Sequence, residues 1–376
     1  MTLRVAAYIR PLGFVNPTGV GKHQIHMVSS LAAAPGVELS LLASRPEFED
    51  AGDSVPTALR ELPLTAVGLG RRTLEGMWAL GSFAPVERWC GPLDWVYCPF
   101  EIFAPTRRAR LAVTIHCVNW FEEDLPWYGD PAVRRTRRRL RPRFQRIVEE
   151  ADLVLTVSEF LKGRLCELFG AVPNKVAVVG NGAEGEFFAA GKEAPPLAES
   201  RTPSPYALVV AALESRKGAE YVLDFARVLR RVEPEARVVI AGGSCGLSPF
   251  VQEAKAIPGV ELRDYMGTQD LVRLMRNAVA LLILSRYDTF GIPAVEAMAC
   301  GTPVVAANFA ALPEVVGDAG ILVDPWRVGE VVDAFCALLR DPTLRESYRN
   351  AGLKRAEDFT WDKCAGRALA AMRRRG

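Results

Sequence analysis

The stretch Ser285–Val305 constrains the fold of this chain more than any other segment. The run before it, Ala280–Leu284, is apolar throughout, which is typical of a strand buried on both faces of a parallel sheet. Pro293 suits the first turn of a helix, where its missing N–H costs no hydrogen bond. A second apolar run begins after the Gly-Thr-Pro of residues 301–303. The stretch therefore predicts a strand, a loop, a short helix and a further strand.

Two carboxylates flank the predicted start of this helix. Asp288 lies just before it, and Glu296 lies about one turn inside it. The amides of Phe290, Gly291 and Ile292 would lie at the helix N-terminus, where an anion can bind. Carboxylates beside an anion site suit a sugar diphosphate, because they can accept hydrogen bonds from hydroxyl groups. The alternative is an ordinary crossover with two solvated acids.

This stretch closely resembles the E-x7-E motif of the family 4 glycosyltransferases. The usual family pattern begins Glu-Gly-Phe-Gly-Leu-Pro and continues into Glu-Ala-Met-Ala-x-Gly-x-Pro-Val-Val. In this chain Asp288 replaces the first Glu and Thr289 replaces the Gly, whereas Glu296 through Val305 keep the pattern. The resemblance implies an α/β protein of the GT-B fold, in which two Rossmann-like domains face each other across a cleft. It also implies transfer of a sugar with retention of its anomeric configuration.

Length and composition agree with a folded two-domain protein. The chain has 376 residues, of which 49% are hydrophobic, and a net charge of +2 that gives no drive toward nucleic acid. Its eight cysteines are scattered without a Cys-x-x-Cys pair, which predicts reduced thiols in a cytoplasmic protein. The apolar run Val5–Ile9 is too short for a signal peptide, and no run is long enough to span a membrane.

Short apolar runs alternate with helical patterns in both halves of the chain, which predicts parallel sheets. A stretch rich in Pro, Gly and charge, residues 191–205, separates the halves. We therefore expect an acceptor-side domain over 1–185 and a nucleotide-sugar-binding domain over 186–355. The resemblance implies that residues 356–376 form a helix that crosses back to the first domain. Strands are expected at Arg4–Ile9, Glu38–Ala43, Trp95–Tyr97, Leu111–Ile115, Leu153–Val157, Val176–Val179, Tyr206–Val210, Arg237–Ala241, Val260–Leu262, Ala280–Leu284 and Pro303–Ala306.

In the first half, two loops that follow strands carry candidate residues, because ligands bind beyond the carboxyl ends of parallel strands. Gly19 and Gly21 open a helix and would let the backbone approach the donor closely. The family carries a Gly-Gly-Ile-Gly-Arg type of loop at this place. His116 follows the strand Leu111–Ile115, where one subgroup of the family has Thr-Ile-His-Asp-Leu. The resemblance implies that His116 contacts the donor sugar near the reacting carbon; a hydrogen-bonded core residue is the alternative.

The second half offers cations and a further glycine for the donor. The segment Leu213–Lys217 resembles a family subgroup with Gly-Thr-Leu-Glu-Pro-Arg-Lys-Asn, and Ala212 stands where many other members have Arg. The resemblance implies that Lys217 contacts a phosphate. Arg216 either shares this contact or forms a surface salt bridge. Gly243, after another predicted strand, either approaches the donor or makes a tight turn.

We therefore predict a retaining glycosyltransferase, with a hexosyltransferase expected. The resemblance implies that Glu296 binds the ribose and Asp288 the sugar, while Lys217 and the Phe290–Ile292 amides neutralise the leaving diphosphate. No metal or other cofactor is expected, since the chain contains no Asp-x-Asp triad. The donor should be a UDP- or GDP-sugar, and the acceptor a glycan, a lipid-linked molecule or a small molecule. The alternatives are a sugar-nucleotide epimerase or phosphorylase of the same fold, and a non-catalytic protein that binds sugar nucleotides.

Two further features allow more than one interpretation. Eight arginines lie within Arg134–Arg146. This segment is either a solvated helix or a site of peripheral contact with an anionic membrane, at the inner membrane face, that would bring the enzyme to a lipid-linked acceptor. His23 and His26 share one helix face. A solvated face is expected there rather than a metal site, because no nearby carboxylate or cysteine completes a ligand set.

Overall fold

The structure, a computed structural model, describes residues 2–14, 17–81, 84–193, 205–242 and 248–375. The chain divides into two compact units. The first consists of Met1–Asn181 together with Trp361–Gly376, and the second is Gly182–Thr360. Most of the separating stretch expected at 191–205 lies outside the described residues. Within the described ranges, no helix is long and apolar enough to cross a membrane.

The first unit is an α/β unit around one parallel sheet. Its strands are β1 Leu3–Tyr8, β2 Val37–Ser44, β3 Leu64–Val67, β4 Trp95–Cys98, β5 Arg110–Ile115, β6 Leu153–Thr156 and β7 Val176–Val178. Its helices are α1 Gly19–Ala32, α2 Arg45–Ala51, α3 Thr57–Arg60, α4 Arg71–Leu80, α5 Glu87–Cys90, α6 Pro131–Glu150, α7 Glu159–Phe169 and, from the end of the chain, α16 Trp361–Arg373. The seven strands lie in the order β3-β2-β1-β4-β5-β6-β7.

The second unit repeats this architecture with six strands. They are β8 Tyr206–Val210, β9 Arg237–Ala241, β10 Val260–Arg263, β11 Ala280–Ile283, β12 Val304–Ala307 and β13 Ile321–Val323. The helices are α8 Gly185–Glu193, α9 Ala219–Val232, α10 Pro249–Lys255, α11 Thr268–Asn277, α12 Ile292–Ala299, α13 Leu312–Val316, α14 Val328–Arg340 and α15 Pro342–Ala356. The strand order is β10-β9-β8-β11-β12-β13, and all pairs are parallel.

The predicted α/β class and the parallel sheets are confirmed. Each of the eleven expected strands is present, with ends within one residue of the expected ones. Every residue of β4, β6, β11 and β12 is buried, as continuous apolar runs require when helices cover both faces of a sheet. Two strands were not expected, β3 and β13. Both are short, half-exposed edge strands, so their sequences lack a continuous apolar run.

The solvated helix face expected for His23 and His26 is wrong. Helix α16 packs against α1, and the His26 ring stacks on Trp361 with 5.1 Å between ring centroids. His23 is fully buried, with Nδ1 2.7 Å from the side-chain oxygen of Asn181 and Nε2 3.2 Å from the hydroxyl of Tyr97. Burial, followed by the neighbouring histidines, holds the pKa of His23 well below its usual value. The ring is therefore neutral and belongs to the core.

Candidate functional site

Two loops of the second unit meet where the strand order of its sheet reverses. The chain runs from β8 outward to β9 and β10, then returns to β11 on the other side of β8. Ligands of open parallel sheets bind at such a switch point, beyond the carboxyl ends of the strands. The loop after β8 ends in a 3-10 turn at Ser215–Lys217, and the loop after β11 contains Asp288. The fold therefore brings two segments together that are about seventy positions apart in the sequence.

Backbone contacts fix these two loops against each other. The carbonyl of Arg216 accepts hydrogen bonds from the amides of Arg286 and Tyr287, at 3.0 and 3.4 Å. Gly218 has a φ of +76°, and a Cβ atom there would lie 1.9 Å from the carbonyl oxygen of Leu284. No side chain fits in that gap, so only glycine allows this approach.

The two loops share a partly buried ion pair. The ammonium nitrogen of Lys217 lies 2.7 Å from Oδ2 of Asp288, and the hydroxyl of Ser285 donates to the same oxygen at 3.3 Å. The amide of Phe290 donates to Oδ1 at 3.4 Å. Asp288 is only 8% exposed. Sequence analysis had placed Lys217 on a phosphate and Asp288 on a sugar, and missed that the two side chains bind each other.

Electrostatics keep Asp288 charged in spite of its burial. Burial is the largest influence and favours the neutral acid. The charge and hydrogen bond of Lys217, the charge of Arg216 and the amide of Phe290 together outweigh it and lower the pKa of Asp288. A fixed carboxylate thus lies beside a fixed ammonium group at the edge of the sheet.

Helix α12 begins shortly after Asp288 in the chain. Gly291 precedes the helix with a φ of +89°, and a Cβ atom there would lie 2.7 Å from a methyl carbon of Leu312. The amides of Gly291 and Ile292 belong to the group at a helix start that has no partner within the helix. Glu296 lies one turn into α12 and is 2% exposed. The turn and the helix start lie where the sequence predicted them, but the amide of Phe290, which was expected at the anion site, donates to Asp288 instead.

The two remaining candidate residues of the second unit are Arg216 and Gly243. The guanidinium of Arg216 is 3.7 Å from the carboxylate of Glu214, and both side chains are substantially exposed. This contact is the surface salt bridge that sequence analysis gave as one of two alternatives for Arg216. The charge of Arg216 also helps to lower the pKa of Asp288. Gly243 lies outside the described residues. Among those residues, no three His, Cys, Asp or Glu side chains are grouped so as to hold a metal ion.

The candidates of the first unit lie at the carboxyl edge of its own sheet or open a helix there. Gly19 begins α1, and a Cβ atom on Gly21 would lie 2.6 Å from the carbonyl oxygen of Gly13. Gly21 therefore serves a close approach between two backbone segments of this unit.

His116 follows β5 directly and is 7% exposed. Its Nε2 donates to the carbonyl of Pro99 at 2.8 Å, and its amide donates to Glu101 at 2.6 Å. Its ring lies edge-on to that of His23, with 4.5 Å between centroids. The imidazole is consequently held in one orientation by the protein.

Comparison with known proteins gives matches in both units of the chain. Residues 17–186 match the family described as Glycosyltransferase Family 4, and residues 193–355 match the family described as Glycosyl transferases group 1. The chain is 26% identical to O-antigen chain mannosyltransferase B of Escherichia coli, over 95% of this chain and 96% of that protein. It is 32% identical to D-inositol 3-phosphate glycosyltransferase of Kribbella flavida, over 61% of this chain and 58% of that protein.

The fold has solved counterparts as well. HepE of Anabaena, solved in complex with UDP-glucose, superposes with a TM-score of 0.68 at 16% identity, over 98% of this chain and 99% of that chain. The two parallel-sheet units, the matched family regions and these relatives lead to one conclusion. The chain belongs to the family 4 glycosyltransferases and is a glycosyltransferase of the GT-B fold.

Proposed function

We propose that this enzyme transfers a hexose from a UDP- or GDP-sugar to a glycan, lipid-linked or small-molecule acceptor, with retention of the anomeric configuration and without a metal or other cofactor. The observation that carries the proposal is the partly buried Lys217–Asp288 pair just before α12, at the switch point of the second sheet. The relatives give further support, since one is a mannosyltransferase and one structure contains UDP-glucose.

The proposed chemistry is electrostatic. Negative charge develops on the diphosphate as it leaves, and preorganised donors at that place stabilise the transition state. Lys217 supplies an ammonium group, and the amides of Gly291 and Ile292 supply the positive end of a helix. Asp288 holds Lys217 in place and can accept a hydrogen bond from a sugar hydroxyl. Glu296 would accept hydrogen bonds from the ribose.

The contact of Lys217 with the diphosphate can be tested by calorimetry with UDP, UMP, GDP and GMP. Lys217→Ala should weaken the better-binding diphosphate about ten-fold or more, which is the loss of one charge-assisted hydrogen bond. The monophosphate should be affected much less. Lys255→Ala, at an exposed lysine of α10, is the control and should change neither affinity. Equal losses for monophosphate and diphosphate would mean that Lys217 contacts another part of the ligand.

Transfer itself can be tested through Glu296. Glu296→Gln should keep the fold and lose most of the donor affinity and turnover, whereas Asp333→Asn, at an exposed acid of α14, should behave as the wild type.

Release of nucleotide only when an acceptor is present separates a transferase from a binding protein. NMR of the product reports the anomeric configuration, and activity should persist in EDTA. Loss of activity in EDTA that Mg²⁺ or Mn²⁺ restores would overturn the cofactor-free proposal.

We also propose that His116 contacts the donor sugar. Its fixed ring at the carboxyl edge of the first sheet supports this role. His116→Ala should lower turnover while the affinity for the nucleoside diphosphate stays the same. A variant that loses thermal stability but keeps turnover per folded molecule would assign His116 to the core instead.

A membrane contact is the last part of the proposal. The exposed arginines of α6 recur at helical spacing along one face, at Arg134, Arg135, Arg138, Arg139 and Arg141. A cationic face of this kind attracts anionic lipid headgroups, at about 1 kcal/mol for each arginine near the surface. Contact of this face with the membrane would suit a lipid-linked acceptor.

A further inference from the structure

Two aromatic rings lie exposed beside each other at the carboxyl edge of the second sheet. Phe309 is in the loop after β12, and Trp326 is in the loop after the neighbouring strand β13. The rings meet edge to face, with 5.8 Å between their centroids. Phe309 is 40% exposed and Trp326 56%. Rings of this size are mostly buried in folded proteins, so an exposed pair in contact points to a binding surface.

The surface is held from below. The ring of Trp326 packs on that of Tyr221, with 5.6 Å between centroids, and Tyr221 is itself buried. The guanidinium of Arg286 lies over the Tyr221 ring, 4.5 Å from its centroid. The backbone of Trp326 is fixed as well, because its amide donates to Oδ1 of Asp324 at 3.0 Å. The indole is therefore placed before any ligand arrives, which lowers the entropic cost of binding.

The loop that carries Phe309 is tied to the proposed donor site. The amide of Ala311 donates to the carbonyl of Asp288 at 3.1 Å. Between them in the chain, Ala310 has a φ of +55° and is the one residue other than glycine with a positive φ in the described part of the protein. A residue with a Cβ atom keeps this conformation only where its surroundings impose it, and such strain is concentrated at functional sites.

The charges beside Trp326 argue against a lipid surface as its ligand. Asp324 and Glu330 are 40% and 45% exposed, and Arg327 lies between them in the sequence, 3.4 and 3.2 Å from their carboxylates. Two acids against one base make this rim negative, which repels anionic lipid headgroups. Carboxylates that water can reach are, however, good acceptors for the hydroxyl groups of a sugar.

The size of the surface argues against a protein partner. An aromatic side chain has about 150–250 Å² of surface, and both rings are partly covered here. The pair therefore offers far less than the about 800 Å² per partner that a stable protein interface buries. Its dimensions suit a single six-membered ring. The C–H face of a pyranose is slightly positive and complements the negative face of an aromatic ring.

We propose that Phe309 and Trp326 form a platform on which a hexopyranose ring of the acceptor stacks. The inference rests on the proposed function, and it selects a glycan among the acceptor classes named there. The rim acids Asp324 and Glu330 accept hydrogen bonds from the sugar hydroxyls. Because the Phe309 loop is bonded to the backbone of Asp288, the platform adjoins the loop that is proposed to bind the donor sugar.

Calorimetry of the full chain with mannotriose and maltotriose tests the platform, because stacking uses the C–H face that these sugars share. Sorbitol, which has hydroxyls but no ring, is the control ligand and should not bind. Trp326→Ala should weaken the better-binding trisaccharide about five-fold or more, whereas Trp326→Phe keeps a ring face and should weaken it about two-fold or less. Val232→Ala, at an exposed valine that ends α9, is the control variant and should bind as the wild type.

Tryptophan fluorescence gives a readout that a purely structural role would not change. In the wild type, the bound trisaccharide should shield one tryptophan from quenching by acrylamide. In Trp326→Phe this shielding should be absent although the trisaccharide still binds. The affinity of all these variants for UDP or GDP should equal that of the wild type, because the nucleotide is assigned to other residues.

The proposal is overturned if the wild type binds neither trisaccharide, or if Trp326→Ala keeps its affinity. Self-association in sedimentation that Trp326→Ala abolishes, with trisaccharide affinity unchanged, would instead assign the surface to a second copy of the chain. None of the trisaccharide measurements uses a nucleotide. Failure of Glu296→Gln to affect transfer would therefore refute the donor site and leave them intact.

Discussion

The Lys217–Asp288 pair is one of several contacts between two loops, and its removal should lower the free energy of unfolding. Asp288→Asn leaves the ammonium of Lys217, which is 25% exposed, without its charged partner. Because water can still reach this ammonium, we expect a loss of about 1–3 kcal/mol in the free energy of unfolding at pH 7. Urea unfolding of the full chain measures it. Asp224→Asn is the control, since it breaks the exposed Arg227–Asp224 pair and should cost less than about 0.5 kcal/mol.

The same substitution should show a characteristic dependence on pH. The pKa of Asp288 is lower in the folded protein than in the unfolded chain, where it is about 3.9. A lowered pKa adds stability above the unfolded value, and this contribution is lost as the pH falls through the folded value. The difference between wild type and Asp288→Asn should therefore be constant near neutrality and shrink below about pH 4. A difference that grows on acidification would show that Asp288 is not held as a carboxylate.

At the scale of elements, the approach of the loop after β8 to the end of β11 depends on one glycine. In Gly218→Ala the new methyl group would collide with the carbonyl of Leu284, and the φ of +76° would be strained as well. We expect a loss of more than about 2 kcal/mol in the free energy of unfolding. Gly259→Ala is the matched control, because its φ is +88° but the nearest atom would be 3.8 Å away. Its cost should stay near the 1–2 kcal/mol of backbone strain alone.

The two substitutions together separate strain from collision. Similar losses in urea unfolding would mean that the loop moves aside at no cost, and that the gap at Gly218 is not required. A larger loss for Gly218→Ala, accompanied by loss of nucleoside diphosphate binding, would tie the position of Lys217 to this contact.

The cationic face of α6 belongs to the same scale, and the structure changes how it should be tested. Arg137 is in the centre of the arginine run, but its guanidinium lies 3.7 Å from the Tyr128 ring centroid and donates to two carbonyls. Its replacement would disturb the fold. The variant Arg134→Gln, Arg135→Gln, Arg138→Gln changes only exposed side chains.

We expect the wild type to sediment with anionic liposomes and not with neutral ones, with binding that falls as salt rises. The triple Gln variant should lose most of this binding and keep its melting temperature. If the wild type does not bind anionic liposomes, this face of α6 is an ordinary solvated surface.

Elements with a continuous apolar run or a turn signal could be predicted from the sequence, and tertiary contacts could not. The strand, turn and helix of the Asp288 motif could be predicted because Gly291 and Pro293 mark the start of α12. The edge strand β13 could not be predicted, since two of its three residues are only half-buried. The burial of His23 depends on α16, which comes from the far end of the chain. The pairing of Lys217 with Asp288 likewise could not be predicted without knowing that β8 and β11 are neighbours in the sheet.

At the scale of the whole molecule, each unit has its own parallel sheet and its own switch point, with different chemistry at each. The second has a Lys–Asp pair and a helix start, whereas the first has the Arg10–Glu75 pair and, after β5, His116. The proposed function therefore assigns the nucleoside diphosphate mainly to the second unit. One experiment on the full chain can test this assignment.

Hydrogen exchange followed by mass spectrometry is that experiment. A bound ligand slows exchange at amides that it orders or covers, because it stabilises the closed state by mass action. UDP or GDP, whichever calorimetry shows to bind, should slow exchange in peptides that contain residues 211–218 and 285–296. Exchange in peptides that contain residues 9–14 and 99–103, from the first unit, should change much less. Protection by the nucleotide confined to residues 9–14 and 99–103 would overturn the assignment and place the diphosphate on the first unit.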